Sequence, residues 1–460
     1  MELREYQKEP VLKGIEFFKK EKTKPSIIVA PTAAGKSHYI AAITNKIEGK
    51  TIIIQPSKEL LEQNYNKLQL IGGKASIYSA SMNTKEFGHI TYATIGSIKN
   101  IGSQFKELGY KNLIVDEIHL YPRGSESMFG KFLKDSGIEK ILGLTATPFK
   151  LQTNSFMMVA FSKLQMLTSR SKHGNLFKDI IHITQIQDII SLGYWSKLNY
   201  EIFDFNTEKL VYNSTQAEFT DDSIEKSYEE NNIHQKIIDK LEQTDRKSIL
   251  VFVPSVAEAI NLSNKVDNSA VLSAETSKKD REEIIKQFKN KQLKAIFNVN
   301  ILSVGFDYPE IDCIISGRAT ASLAWWYQVV GRGTRISPLK KDCLIVDFSG
   351  NTQRFGKIEY LKYVKEASTW KLYGEGGRLL TGIPINEIGI YTESTEAKKI
   401  IQKQLEKEQK KETKDKKIIT FGKFQGQEIK NLPLWYRKWM LEKFEFNDKT
   451  KYIKEELLTL

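Results

Sequence analysis

"APTAAGKS", residues 30–37, decides how the rest of the chain is read. It follows the apolar run SIIV (26–29), precedes a helical pattern, and ends in Gly35, Lys36 and Ser37. A loop that holds phosphates needs backbone N–H groups turned toward the anion and a helix N-terminus behind them. It also needs a lysine for the β and γ charge and a hydroxyl for magnesium. This stretch supplies each of these, with Thr32 inside the turn. It departs from the usual pattern at Ala30, where glycine is commoner, and at Ala33–Ala34, where many such loops carry a further glycine. The alternative is a helix that merely begins with GKS.

A partner motif decides between the two. LIVDEIH (113–119) puts Asp116 and Glu117 at the C-terminal end of an apolar strand. Adjacent carboxylates there divide the work: Asp116 holds the magnesium shell with Ser37, and Glu117 orients and deprotonates an attacking water. Two solvated acids at a strand end is the bland reading, and the upstream loop outweighs it. The pair of motifs implies a nucleotide site with Mg2+ as cofactor.

A length of 460 residues exceeds one hydrophobic core, so two or three domains are expected. With 40% hydrophobic and 10% aromatic residues the chain can build proper cores, which excludes a disordered protein. The net charge of +13 fits a polyanionic partner or simply a lysine-rich surface. Cys313 and Cys343 are too few for a zinc site or a disulfide framework, which suits a reducing compartment. The start, MELREYQKEP, has no apolar signal core, and no apolar run reaches membrane-spanning length. The expectation is a soluble cytoplasmic protein of a bacterial cell or phage-infected host, without membrane or zinc.

The strand candidates come in two blocks. SIIVAP (26–31), KTIIIQP (50–56), NLIVDE (112–117) and KILGLTATP (140–148) form the first. SILVFVPS (248–255), NSAVLSA (268–274), LKAIFNVN (293–300), DCIISG (312–317) and DCLIVDFSG (342–350) form the second. Continuous apolar runs separated by helical patterns such as SKKDREEIIKQFKN (277–290) indicate parallel sheets covered on both faces. Two successive α/β units fit better than one long sheet.

With these motifs in hand, the chain resembles superfamily 2 helicases over roughly residues 1–351. LREYQ (3–7) looks like the adenine-reading motif, which implies Arg4 and Gln7 at the base. QPSKELLEQ (55–63) and TYAT (91–94) look like strand-binding motifs, DEIH (116–119) like the second Walker motif, and LTATP (144–148) like the coupling motif. VFVPS (251–255), NILSVGFDYP (300–309) and QVVGRGTR (328–335) follow in the family's order. The resemblance implies two tandem RecA-like domains, 1–195 and 196–372, that sandwich ATP, with a basic linker and small module at 373–460.

The resemblance also implies roles. Arg332 and Arg335 act as arginine fingers on the γ-phosphate, with Gln328 in the same motif. Gly305 and Asp307 lie on a turn facing the cleft, and His119 senses the nucleotide, while His38 is a helix-surface residue. Pro56, Ser57, Thr91, Thr94, Ser255 and Asn300 are the candidate contacts to the nucleic-acid strand, through phosphates rather than bases. Trp325 and Trp326 either stack on bases or, preferably, pack beneath the arginine-bearing helix.

The likeness is closest to RadD-type bacterial helicases and bacteriophage fork-remodelling or branch-migration helicases, carried largely by WWYQVVGRGTRISPLKKDCLIVDFSGN (325–351). RadD-type proteins continue into cysteine-rich zinc modules, and this tail has none. The implied activity is that of an ATP-dependent DNA helicase acting as a monomer on forked or branched DNA. An RNA helicase, a duplex translocase that separates no strands, or an ATP-gated nucleic-acid-binding scaffold share these motifs.

The tail reads differently. Residues 397–417 carry nine lysines against four acidic residues. FGKFQGQEIKNLP…WYRKWML (421–441) resembles a small module appended to some DnaQ-type exonucleases, without their catalytic carboxylates. Trp435 with Trp439, and Tyr436 with Met440, form neighbouring helical stripes expected to make one apolar core face. Lys423, Lys430, Arg437, Lys438 and Lys443 would surround it and grip phosphates on a second DNA arm.

Overall fold

The computed structural model describes residues 3–121, 124, 126–156, 159–169, 175–299, 308–385, 419, 422–447 and 450–459. It divides into two compact units, one of residues 1–375 and 379–391, the other of 376–378 and 392–460.

The larger unit holds two sheets. The first comprises β1 (Ser26–Val29), β2 (Lys50–Gln55), β3 (Ser76–Ser79), β4 (Thr84–Lys85), β5 (Ile90–Thr94), β6 (Tyr110–Val115), β7 (Lys140–Thr145) and β10 (Asp179–Ile183). Its order is β10-β1-β7-β6-β2-β5-β3-β4, parallel except for β4 against β3. A hairpin, β8 (Phe149–Phe156) and β9 (Val159–Met166), separates β7 from β10 in the chain. The second sheet, all parallel, runs β11-β16-β15-β12-β14-β13. Its strands are β11 (Lys197–Ile202), β12 (Ile249–Phe252), β13 (Ser269–Leu272), β14 (Ala295–Asn298), β15 (Cys313–Ser316) and β16 (Asp342–Asp347). A second hairpin, β17 (Lys362–Glu366) and β18 (Thr369–Tyr373), comes after it.

All nine expected strands are present, and β1, β12, β14 and β15 are buried along their whole length. That is why they read as unbroken apolar runs: helices cover both faces of a parallel sheet. The mixed α/β architecture with two parallel sheets is the expected fold class. Helix α1 (Glu5–Lys19) lies against α2 (Lys36–Thr44), the helix that leaves β1. The approach is close at Gly14, where an added Cβ would come within 2.4 Å of Ile43 Cδ1. Gly14 therefore lets α1 carry its N-terminal residues up to the loop between β1 and α2.

The smaller unit is a separate apolar core. Helices Leu434–Lys443 and Lys451–Leu457 enclose Ile429, Leu432, Tyr436, Met440 and Ile453. The run 397–417 lies outside the described residues. No helix among the described residues is long and apolar enough to cross a membrane.

Candidate active site

At the C-terminal ends of β1, β6 and β7, a cavity of about 420 Å3 opens toward the second sheet. This is the crevice in which parallel α/β sheets bind ligands. Thr32, Gly35, Lys36 and Ser37 line it from the loop, Asp116 and Glu117 from β6, and Gln328, Arg332 and Arg335 from the second half. Its size suits a nucleotide.

The loop takes its shape from two left-handed residues, Ala33 at φ 63° and Gly35 at φ 87°. Gly35 caps α2, so the first N–H groups of the helix face the cavity. Glycine is costless in that conformation; Ala33 holds it at a cost of about 1 kcal/mol. Ala30, by contrast, sits in ordinary backbone and is fully buried, so a methyl fits there. Two aromatic side chains, one of them from the second half, grip the loop tip. The Thr32 N–H donates to Tyr327 Oη (3.2 Å), and Trp195 Nε1 donates to the Thr32 carbonyl (3.0 Å).

Lys36 Nζ lies 3.1 Å from Glu117 Oε1, inside the cavity wall. Glu117 itself is left-handed (φ 47°), a strained conformation of the kind that concentrates at functional sites. Burial alone would raise its carboxyl pKa, but Lys36, His119 and Arg332 outweigh burial and hold it below the usual range. Asp116 behaves oppositely: burial, then the Glu117 charge, push it up to about 7. Asn64 Nδ2 donates to Asp116 Oδ2 (3.0 Å), and the Glu117 N–H donates to Asp116 Oδ1 (3.0 Å). The pair is thus divided into an ionised Glu117 and an Asp116 that holds a proton close to neutrality.

His119 ties the halves together. Gln328 Nε2 donates to His119 Nε2 at 2.9 Å, which leaves the proton on Nδ1, facing Thr145 Oγ1 at 2.7 Å and Glu117 Oε2 at 3.4 Å. Burial lowers the His119 pKa, against the pull of the Glu117 carboxylate. Thr145 Oγ1 also accepts from the Thr147 N–H (3.0 Å), so the segment after β7 joins the same chain of contacts. Farther on, Tyr363 Oη donates to the Ala146 carbonyl at 3.0 Å.

The base side differs from expectation. Gln7 is buried, with Nε2 donating to the Ala34 carbonyl (2.8 Å) and Oε1 accepting from the Arg4 N–H (3.0 Å). It props the loop, and the groups that line the cavity there are Arg4 and Tyr194. The Arg4 guanidinium lies 4.1 Å above the Tyr194 ring. His38, expected on the helix surface, instead lines the cavity with Nδ1 buried. Burial, then Lys67 and Arg4, lower its pKa. Gly305, Asp307 and Asn300 lie outside the described residues.

The strand candidates divide. Ser57 caps α3 (Lys58–Leu70) and Ser255 caps the helix Val256–Ser263, each hydroxyl accepting from a backbone N–H at 3.3 Å. Pro56 follows β2 directly, and Thr94 ends β5 opposite Gln55, with its Oγ1 2.9 Å from Ser97 Oγ. Thr91 is a correction. It is fully buried and its hydroxyl is taken by Tyr110 Oη (2.6 Å) and the Gly88 N–H (3.1 Å), because β5 turns that position inward. Trp326 is fully buried, and Trp325 packs edge-on against Phe252 at 5.7 Å, so both belong to the core.

Tyr327, Trp195 and Tyr363 join the site with no sequence pattern that points to them. Asn64 does carry a usable signal, as a polar residue in the buried stripe Leu61–Asn64–Leu68 of α3.

Residues 1–150 match the family described as "Type III restriction enzyme, res subunit", and residues 232–337 match "Helicase conserved C-terminal domain". The protein irc3 of Schizosaccharomyces pombe, assigned by name as a mitochondrial ATP-dependent helicase, is 24% identical over 382 residues, 77% of this chain and 58% of its own. The DNA 3'-5' translocase XPB2 of Sulfurisphaera tokodaii is 22% identical over 386 residues, 74% of this chain and 80% of its own. Among solved structures, the ATP-dependent Type ISP restriction-modification enzyme LlaBIII bound to DNA shares the fold. Its TM-score is 0.55 at 14% identity, over 85% of this chain and 29% of that one. The chain belongs to the superfamily 2 helicases. It spans 58% of the length of irc3.

Proposed function

We propose that this chain is an ATP-dependent DNA helicase or translocase that works as a monomer on forked or branched DNA. The observation that carries the reading is the convergence on one cavity of the Lys36–Glu117 pair from the first sheet with Arg332 and Arg335 from the second half. ATP is the substrate. Loop N–H groups and Lys36 bind its phosphates, Glu117 positions and deprotonates the attacking water, and Arg332 and Arg335 meet the charge that develops on the γ-phosphate. Ser37 and Asp116 form an oxygen-only donor set that fits magnesium, which would neutralise phosphate charge there. Gln328 and His119 couple the carboxylate to the second half, so cleft closure and hydrolysis are linked.

DNA as the partner is supported by the net charge of +13 and by the DNA translocase among the relatives. Pro56, Ser57, Thr94 and Ser255 are the proposed phosphate contacts, with residues 1–195 and 196–372 as the two motor halves. The test is a panel of single-strand, duplex, forked, four-way-junction and RNA substrates, with ATP hydrolysis and strand separation measured on each. Forks or junctions should stimulate hydrolysis and be remodelled. Stimulation by RNA alone, movement on duplex without separation, or binding without turnover would each replace this reading with another.

A further inference from the structure

In the smaller unit, the helix Leu434–Lys443 buries the stripe of Tyr436 and Met440 and leaves the neighbouring stripe outside: Trp435 is 60% exposed and Trp439 44%. The two tryptophans are therefore not the core of the module. The core is already filled by Ile429, Leu432 and Ile453, and a helix can turn only one such stripe inward. Two adjacent indoles in water form the kind of apolar patch that marks a binding surface.

The rings pack against their aromatic neighbours. Phe424 and Tyr436 meet Trp435 at 66° and 77°, with centroids at 6.1 and 5.5 Å. Trp439 lies stacked along Tyr436 at 5.5 Å and 20°.

Their surroundings are basic. Lys438 lies one turn from Trp435, Lys443 one turn from Trp439, and Lys423 adjoins Phe424; all three are exposed. Glu442 is the acid on the same face. Of the five basic residues expected around the helix, the other two are engaged elsewhere. Arg437 donates to the carbonyls of Leu432 (2.7 Å) and Lys430 (3.0 Å), and Lys430 pairs with Glu428 at 2.8 Å.

We propose that Trp435 and Trp439 form a stacking platform for single-stranded nucleic acid, with Lys423, Lys438 and Lys443 on its phosphates. A single strand brings a π-face for each indole and a phosphate for each ammonium, whereas an apolar protein face would desolvate the lysines with no return. A duplex has no free base faces to offer. This platform uses none of the residues of the nucleotide cavity and stands whether or not the chain hydrolyses ATP.

The test uses the full chain without nucleotide, with a labelled oligothymidylate and a labelled duplex, followed by anisotropy across a salt series. Trp435→Ala with Trp439→Ala should weaken single-strand binding about ten-fold or more and leave duplex binding and the salt slope nearly unchanged. Trp435→Phe with Trp439→Phe should retain most of the affinity, which separates stacking from folding. Lys438→Gln with Lys443→Gln should flatten the salt slope by roughly 1.4. Unchanged single-strand affinity in the alanine pair, equal loss on duplex, or an altered oligomeric state with single-strand binding intact would overturn the proposal.

Discussion

The tetrapeptide Leu-Ile-Val-Asp occurs twice, at 113–116 and 344–347, ending β6 in the first sheet and β16 in the second. Both aspartates are buried. Asp347 is consumed by its own loop: it accepts from the Ser349 N–H and Oγ (both 2.9 Å) and from the Thr352 N–H (2.5 Å). Asp116 accepts from the Glu117 N–H and Asn64, and lines the cavity. The residues just beyond each strand make the difference. After Asp347 comes Phe-Ser-Gly, and Gly350 at φ 68° turns the chain back over the carboxylate. After Asp116 comes Glu117, itself left-handed, which points a second carboxylate at Lys36. A buried acid at a strand end is a turn anchor in one sheet and lines the nucleotide-sized cavity in the other.

The largest effects should fall on the first-sheet version. Lys36→Ala and Glu117→Gln should each lower DNA-stimulated ATP hydrolysis by at least about a thousand-fold, the first by weakening phosphate binding, the second with ATP still bound. Steady-state hydrolysis with nucleotide-binding titrations would distinguish them. If DNA unwinding survived Lys36→Ala, the motor reading would fail.

Asp116→Asn and Asp347→Ala should separate chemistry from stability. The Asp347 change orphans buried N–H groups and should cost about 3 kcal/mol in denaturant unfolding, with hydrolysis per folded molecule retained. The Asp116 change should remove turnover without loss of stability in magnesium-free buffer. Its sign comes from the raised pKa of about 7 against an ordinary 3.8. Between those values the folded chain holds a proton that the unfolded chain has released. Wild-type stability contributed by this group is therefore present at low pH and lost as pH rises toward 7. Thermal melts should show Asp116→Asn gaining on wild type over that range; a constant difference would contradict the burial argument.

The smallest effects belong to the paired caps. Ser57 and Ser255 come directly after Pro56 and Pro254, share the same extended backbone and accept the same 3.3 Å hydrogen bond. Either serine changed to alanine should cost about 1 kcal/mol, measured by thermal denaturation of both variants. A clearly larger cost at one of them would break the equivalence of the two sheets.

The two sheets also differ in how much of them is legible in the sequence. The nine strands could be read because parallel sheets covered on both faces leave continuous apolar runs, and the meeting of GKS with DE at one cavity could be read because both motifs follow buried strands of one sheet. The roles of Gln7, Thr91 and His38 could not, because whether a polar side chain faces a cavity or its own backbone depends on tertiary packing. Tyr327 and Trp195 reach the site from distant positions that no local pattern ties to it, whereas Asn64 shows as a polar residue in the buried stripe of its helix. In the tail, Trp435/Trp439 and Tyr436/Met440 are equally good core stripes by spacing, and only the packing of Ile429, Leu432 and Ile453 selects between them.

The central claim is that the two halves contribute different terms to one reaction. The most direct measurement is single-turnover ATP hydrolysis on single-stranded DNA, with nucleotide affinity determined in parallel, for Arg332→Ala and Arg335→Ala. Their charge counts mainly in the transition state, so affinity should stay within a few-fold of wild type while the hydrolysis rate falls by roughly a hundred-fold or more. Loss of DNA affinity alone, with hydrolysis of bound ATP at the wild-type rate, would contradict the account.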